Sequence, residues 1–131
     1  MENSIEKIEK ELKSENGSIN GVIMDLTSFP SVRQGAEKLR ALISHVDICI
    51  LNAGIMKVPL KISENLELHQ KVNYFSQFLL LNEIMDLIEK APNRPRVISL
   101  SSGAHIFGDG KMKYWRTFEN QEEYKKEMIT N

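Results

Sequence analysis

Asp47-Ile48-Cys49-Ile50-Leu51-Asn52-Ala53-Gly54 is the stretch on which the fold turns. Four apolar residues, two of them β-branched, stand between an Asp and an Asn-Ala-Gly breaker, which reads as a short strand running into a turn. The run is continuous rather than alternating. Strands of that kind are covered on both faces, the situation of a parallel sheet. Working outward, Gly21 to Leu26 and Arg96 to Ser101 have the same character and give two further strands. Between the first two strands, Val32, Ala36, Leu39 and Ile43 fall on one helical face, with Ser28 or Ser31 as cap and Pro30 tolerated in the first turn.

Between the last two strands, a loop with Pro59 leads into the longest helical stretch, about Glu64 to Lys90. Leu68, Val72, Phe75 and Leu79 make one apolar stripe, and Tyr74, Phe78, Leu81, Met85 and Ile88 make another, so this helix packs on more than one side. Ile5, Ile8 and Leu12 predict an amphipathic helix over 3–14, ended at Asn16-Gly17, and a short helix is expected near 121–128. The alternation of helix and strand predicts an α/β fold: a doubly wound parallel sheet of three strands with helices on both faces.

The 131 residues hold 17 Lys+Arg and 18 Asp+Glu, for a net charge of −1, with 41% apolar and 27% charged residues. That balance suits one globular domain and excludes a nucleic-acid binder acting through bulk positive charge. Cys49 alone forms no internal disulfide, and His45, His69 and His105 show no metal-ligand spacing. The first fifteen residues alternate charges without an apolar segment, so no secretory signal is read there, and Asn16-Gly17-Ser18 reads as a turn rather than a glycosylation site. Phe78-Leu79-Leu80-Leu81 is far too short to cross a bilayer. A cytoplasmic location is expected, or a membrane-associated one if an anchor precedes Met1.

Ligands of open α/β sheets sit beyond the carboxyl ends of the strands. Here those ends are Asp25-Leu26, Asn52-Ala53-Gly54 and Ser101-Ser102. Asn52-Ala53-Gly54 is either an ordinary turn or a place for close approach to a flat ligand, with Gly54 able to take positive φ. Asn73 is a poor helix former among apolar neighbours, so its amide needs a partner. Ser102 can hydrogen-bond a ligand oxygen, but no G-x-S-x-G elbow makes it a hydrolase nucleophile. Asp25 caps a helix or holds a polar ring edge. Gly108-Asp109-Gly110 lacks a third glycine and reads as a loop, and Tyr114, Trp115 and Phe118 read as a packing patch. Only Asp25 is an acid at a strand end, since Asp47 begins its strand, so a metal-holding signalling receiver is disfavoured.

Together, Asp25-Leu26, Ile50-Leu51-Asn52-Ala53-Gly54-Ile55-Met56, Gln70-Lys71-Val72-Asn73-Tyr74-Phe75 and Val97-Ile98-Ser99-Leu100-Ser101-Ser102-Gly103-Ala104-His105 occur in order at element boundaries. This set resembles the short-chain dehydrogenase/reductase family, in its branch of retinol dehydrogenases and WW-domain-containing oxidoreductases. The resemblance implies a Rossmann-type domain binding NAD or NADP and acting on a small lipophilic alcohol or carbonyl, such as a retinoid or steroid. It implies that Asp25, with Leu26 beside it, meets the adenine, and that Asn52, Ala53 and Gly54 line the cofactor. It implies that Asn73 anchors a relay water and Ser102 bonds the substrate oxygen. Helix 64–90 would form a homo-oligomer interface.

Two parts of the family pattern are not found in these residues. No glycine-rich pyrophosphate turn precedes residue 20, and no Tyr-x-x-x-Lys pair occurs: Tyr74, Tyr114 and Tyr124 are followed at that offset by Phe78, Phe118 and Met128. Residues 1–131 are therefore expected to form a single, incomplete NAD(P)-binding domain, inactive alone. The alternative is a non-catalytic piece that binds a full-length relative through helix 64–90. In the family's strand order, a gap two strands wide would separate 21–26 from the other two.

Overall fold

The computed structural model describes residues 5–8, 10, 18–56, 58–59, 61–103, 106 and 122. Residues 5–8 and 10 are helical, in line with the amphipathic pattern there, whereas the helix expected near 121–128 and the patch at Tyr114, Trp115 and Phe118 lie outside the described residues apart from helical Glu122.

The regular elements are α1 (Phe29–Leu42), β1 (Ile48–Leu51), β2 (Ile62–Ser63), β3 (Leu66–Glu67), α2 (Leu68–Gln70), a π-helical turn (Lys71–Phe75), α3 (Ser76–Glu83), α4 (Met85–Glu89) and β4 (Arg96–Ser99). β1 and β4 pair in parallel, Ile48 beside Arg96 through to Leu51 beside Ser99. The Arg96 N–H donates to the Asp47 carbonyl and the Leu100 N–H to the Leu51 carbonyl, which carries the ladder past both strand ends. Two parallel strands joined by a helical crossover are the core of the α/β arrangement the sequence predicts.

The core lies between this sheet and the helices. Ala36 of α1 packs with Ile84, Leu87 and Ile88, and Leu39, Ile43, Val46, Cys49, Leu80 and Leu81 close around them. The Val46 N–H donates to the Leu87 carbonyl, joining the start of β1 to α4. Arg40 reaches across from α1 to the Asp86 carboxylate at 2.7 Å and to the Glu83 carbonyl. These helices cover one face of the sheet. On the other, Ile48, Ile50, Ile98 and Leu100 remain 48, 59, 42 and 51% exposed. The sequence calls for helices on both faces, and the described residues cover only this one.

Two other expectations are corrected. Residues 21–26 form no ladder, so the described sheet has two parallel strands rather than three. The segment is still anchored. Met24 lies against Gly35 of α1, and the Ser76 hydroxyl donates to the Leu26 carbonyl at 2.6 Å. An extended, apolar segment has the composition of a strand but becomes one only beside a partner.

The helix expected from Glu64 instead begins at Leu68. Glu64 and Asn65 both take left-handed backbone, φ 51° and 61°, and turn the chain between antiparallel β2 and β3. Asn accepts that conformation readily, and Glu does not. The Glu64 carboxylate is held 2.6 Å from the fully buried Lys71 ammonium, an ion pair that fixes the turn against the helix. Further along, Ile84 leaves helical geometry at φ −112° and ψ 9°, separating α3 from α4. Among the described residues, no helix is long and apolar enough to cross a membrane.

Candidate functional site

Beyond the carboxyl ends of β1 and β4 lies a cavity of about 540 Å³. Asn52 to Met56 form one wall, Leu100 to Ser102 another, and His69, Asn73 and Gln77 on the helix form the third. The structure thus brings together Asn52, Ala53, Gly54, Asn73 and Ser102. It does not place Asp25 or Leu26 on this wall.

Asn73 has the partner its position demands. Its Oδ1 accepts the Ile55 N–H at 2.8 Å and its Nδ2 donates to the Ile55 carbonyl at 3.0 Å. One amide side chain thereby replaces a strand neighbour for the chain just after β1. Gln77, one turn on and buried, donates to the Ala53 carbonyl at 2.6 Å and to the Asn73 carbonyl at 3.0 Å. Ser76, also buried, holds Leu26 as described above. Asn73, Ser76 and Gln77 stand at i, i+3 and i+4, so one helical face grips the end of both chain segments. The π-helical turn over Lys71–Phe75 helps set that face.

Gly54 does not enter the left-handed region. A Cβ added there would meet Asn73 Oδ1 at 3.5 Å, an ordinary contact. Its missing side chain therefore relieves no backbone strain.

Asp25 does local work. Its Oδ1 accepts from both the N–H and the hydroxyl of Thr27 at 2.8 Å, and its own N–H donates to Ser31 Oγ at 2.9 Å. The Thr27 N–H, then its hydroxyl, hold the Asp25 carboxyl below the usual carboxylate range. Ser28, not Ser31, is the N-cap of α1, accepting the Ser31 N–H.

Sequence reading passed over His69, Gln77 and Lys71. Gln77 was legible as a second amide four residues after Asn73. His69 stands on the cavity wall because Glu67 holds it there. The Glu67 carboxylate, 5% exposed, accepts the His69 and Gln70 N–H groups at the start of α2 and lies 2.7 Å from His69 Nδ1. Lys71 Nζ, besides its ion pair, donates to Ser63 Oγ at 3.1 Å and lies 4.8 Å from the centre of the Phe29 ring. A lysine in a helical register gives no sign of such burial until the hairpin before it is known.

Comparison with known proteins identifies the family. The family model for short chain dehydrogenase matches residues 1–114. Retinol dehydrogenase 13 of Homo sapiens is 38% identical over 102 residues, covering 76% of this chain and 30% of that protein. The WW domain-containing oxidoreductase of Drosophila melanogaster is 31% identical over 109 residues, covering 82% of this chain and 26% of that one. The chain thus spans about a third or less of these relatives. Among solved structures, an uncharacterised protein from Mycobacterium paratuberculosis superposes with a TM-score of 0.64 at 26% identity, over 89% of this chain and 41% of that one. A Serratia marcescens short-chain dehydrogenase/reductase, at 19% identity and a TM-score of 0.59, shares the fold. With strand, turn and helix motifs in register and the family match over most of its length, the chain belongs to the short-chain dehydrogenase family.

Proposed function

We propose that these residues are part of an NAD(P)-dependent oxidoreductase acting on a lipophilic alcohol or carbonyl, and that residues 1–131 form an incomplete cofactor-binding domain. The observation that carries this reading is the meeting of Asn52 to Gly54, Asn73 and Ser102 around one cavity at the strand ends. The similarity to retinol dehydrogenase 13 supports a retinoid or comparable lipophilic substrate.

The residues present fit one end of a dinucleotide. Small side chains at Ala53 and Gly54 and the amide-rich wall leave room for a flat polar ring, and Ser102 offers a hydroxyl beside it. NAD(P) would supply or accept the hydride there. A pyrophosphate needs free backbone N–H groups at a helix start. At the start of α1, Ser28 already caps the turn and Pro30 has no N–H to give. The adenine role of Asp25 and Leu26 stays with the same reading. In it Asn73, already committed to Ile55, supports the wall, and Ser102 polarises the substrate oxygen, for which a donor aimed at developing charge is the required chemistry. Residues 1–131 by themselves thus hold a cofactor only weakly and turn over nothing. The test is amide chemical-shift mapping with NADH and NADPH on the 131-residue chain. Millimolar shifts confined to 52–54, 73 and 100–102 are expected, and an unchanged spectrum or shifts elsewhere would reject the site.

A second reading, an interaction surface on the long helix, is favoured by Tyr74 and Phe78. The two rings stack 6.1 Å apart and stay 47 and 55% exposed beside a groove lined by Leu51, Leu81 and Val97. Self-association abolished by Phe78→Lys would support it, and a monomer at high concentration would exclude it.

A further inference from the structure

Among the described residues, Asn20 alone of the asparagines is followed by glycine; Asn52, Asn65, Asn73, Asn82 and Asn93 precede residues that carry side chains. The amides are also held differently. The Asn73 amide is committed to Ile55, and Asn82 Nδ2 donates to the Phe78 carbonyl at 2.7 Å. Neither Asn20 nor Gly21 makes a hydrogen bond within the described residues. Both are exposed, in a stretch over 18–25 that has no helix, strand or turn. The first anchors come later, where Met24 meets Gly35, the Asp25 N–H meets Ser31 Oγ and the Leu26 carbonyl meets Ser76. The Asn20–Gly21 step can therefore rotate without breaking a hydrogen bond among the described residues.

That freedom bears on the chemistry of this pair. The Gly21 backbone nitrogen, once a base in solution takes its proton, is a nucleophile that closes a five-membered ring on Asn20 Cγ. Glycine has no Cβ to obstruct the approach. A β-ladder would prevent it by tying the N–H to a neighbouring carbonyl, and residues 21–26 have no ladder. The absent strand partner noted above thus leaves this step open to reaction.

We propose that Asn20–Gly21 is a self-modification site, at which the chain converts Asn20 to isoaspartate or aspartate with water as the co-reactant. The bond from Gly21 N to Asn20 Cγ forms, the Cγ–Nδ2 bond breaks, and ammonia leaves carrying the proton lost from Gly21. Water then opens the cyclic imide. Opening at Cγ gives aspartate. Opening at the Asn20 main-chain carbonyl gives isoaspartate, whose main chain is longer by one methylene. Nothing is oxidised or reduced. Either product adds a carboxylate next to a cavity of about 370 Å³, which Gly21, Val22 and Ile23 form against α1. Lys38 is the one charged residue of its lining and has no acid partner among the described residues. The modification changes the charge beside this wall, and the anchors from Met24 to Leu26 lie beyond the altered bond.

The experiment ages the 131-residue chain at mildly alkaline pH, folded in buffer and unfolded in guanidinium. Position 20 is followed by peptide mass mapping, with fragmentation that tells isoaspartate from aspartate. Asn20 of the folded chain is expected to convert within about tenfold of the unfolded rate, a barrier difference of no more than about 1.4 kcal/mol. Isoaspartate must be among the products, and Asn65, Asn73, Asn82 and Asn93 should stay intact over the same period. Gly21→Ala is expected to slow conversion at least about tenfold in buffer and in guanidinium alike, where any effect on folding plays no part. Asn20 persisting in the folded chain while the unfolded chain converts would overturn the proposal, because the step would then be restrained. Equal rates in Gly21→Ala, or aspartate without isoaspartate, would overturn it by excluding the cyclic imide.

Discussion

Asn73 shows how a single side chain decides the geometry at the strand end. Its amide satisfies both backbone groups of Ile55, so Asn73→Ala removes two hydrogen bonds at once. The expected loss is about 1–2 kcal/mol, read as a lower midpoint in urea unfolding with unchanged slope. Asn73→Asp separates the two bonds, because a carboxylate accepts the Ile55 N–H but faces the Ile55 carbonyl with a second acceptor. It should destabilise at least as much as Asn73→Ala at neutral pH and recover partly on acidification. Asp25 gives a second prediction. The Thr27 N–H and hydroxyl depress its folded pKa, so its contribution is present above the unfolded carboxylate value and lost as pH falls below about 4. Asp25→Asn should flatten that part of the acid-stability profile, and the effect is small because the group is exposed. At this scale the sequence was informative: Asn73, a polar amide among apolar helix positions, announced a partner. It could not name Ile55, because the partner is backbone and every residue has one.

Elements were legible where local pattern and final environment agree. α1 follows its apolar face, β1 and β4 follow their runs, and the crossover between them makes them parallel. The pattern misled where neighbours decide. Glu64 is an ordinary helix former, yet its ion pair with buried Lys71 holds it, beside Asn65, in a left-handed turn. Residues 21–26 have a strand's composition without a strand's partner. How that segment sits on α1 can be tested at Gly35. A Cβ there would lie 2.3 Å from Met24 Cε and 3.1 and 3.2 Å from its Cγ and Cβ, so the whole side chain must move. Helix propensity favours Gly35→Ala by up to about 1 kcal/mol, and overpacking opposes it by about 1–3 kcal/mol. A net loss near 1 kcal/mol is expected in thermal or urea unfolding. In a double-mutant cycle, Met24→Ala should cancel most of it, whereas additive losses would place the strain elsewhere.

At the scale of the molecule, the sheet leaves Ile48, Ile50, Ile98 and Leu100 open on one face. An apolar face beside parallel strands promotes association. The chain should therefore associate with rising concentration in sedimentation velocity, and Ile50→Thr with Ile98→Thr should shift it toward monomer while β1 and β4 persist in far-UV circular dichroism. The family was legible from four motifs in order, and the cavity from where three of them end. His69 was not, since its place depends on the hairpin that precedes it. On the proposed reading, residues 1–131 build one end of a dinucleotide site, and the sequence holds neither a glycine-rich phosphate turn before residue 20 nor a Tyr-x-x-x-Lys pair. Each remaining hydrogen bond contributes about 1 kcal/mol net, too little to offset immobilising a large ligand. Missing acid–base help costs a further factor of about 10²–10⁴ in rate. The most direct measurement is calorimetric titration of the purified chain with NADH and NADPH, paired with an absorbance assay of nicotinamide oxidation using retinal. The account predicts no binding at micromolar concentrations and no turnover; micromolar affinity with turnover abolished by Ser102→Ala would contradict it.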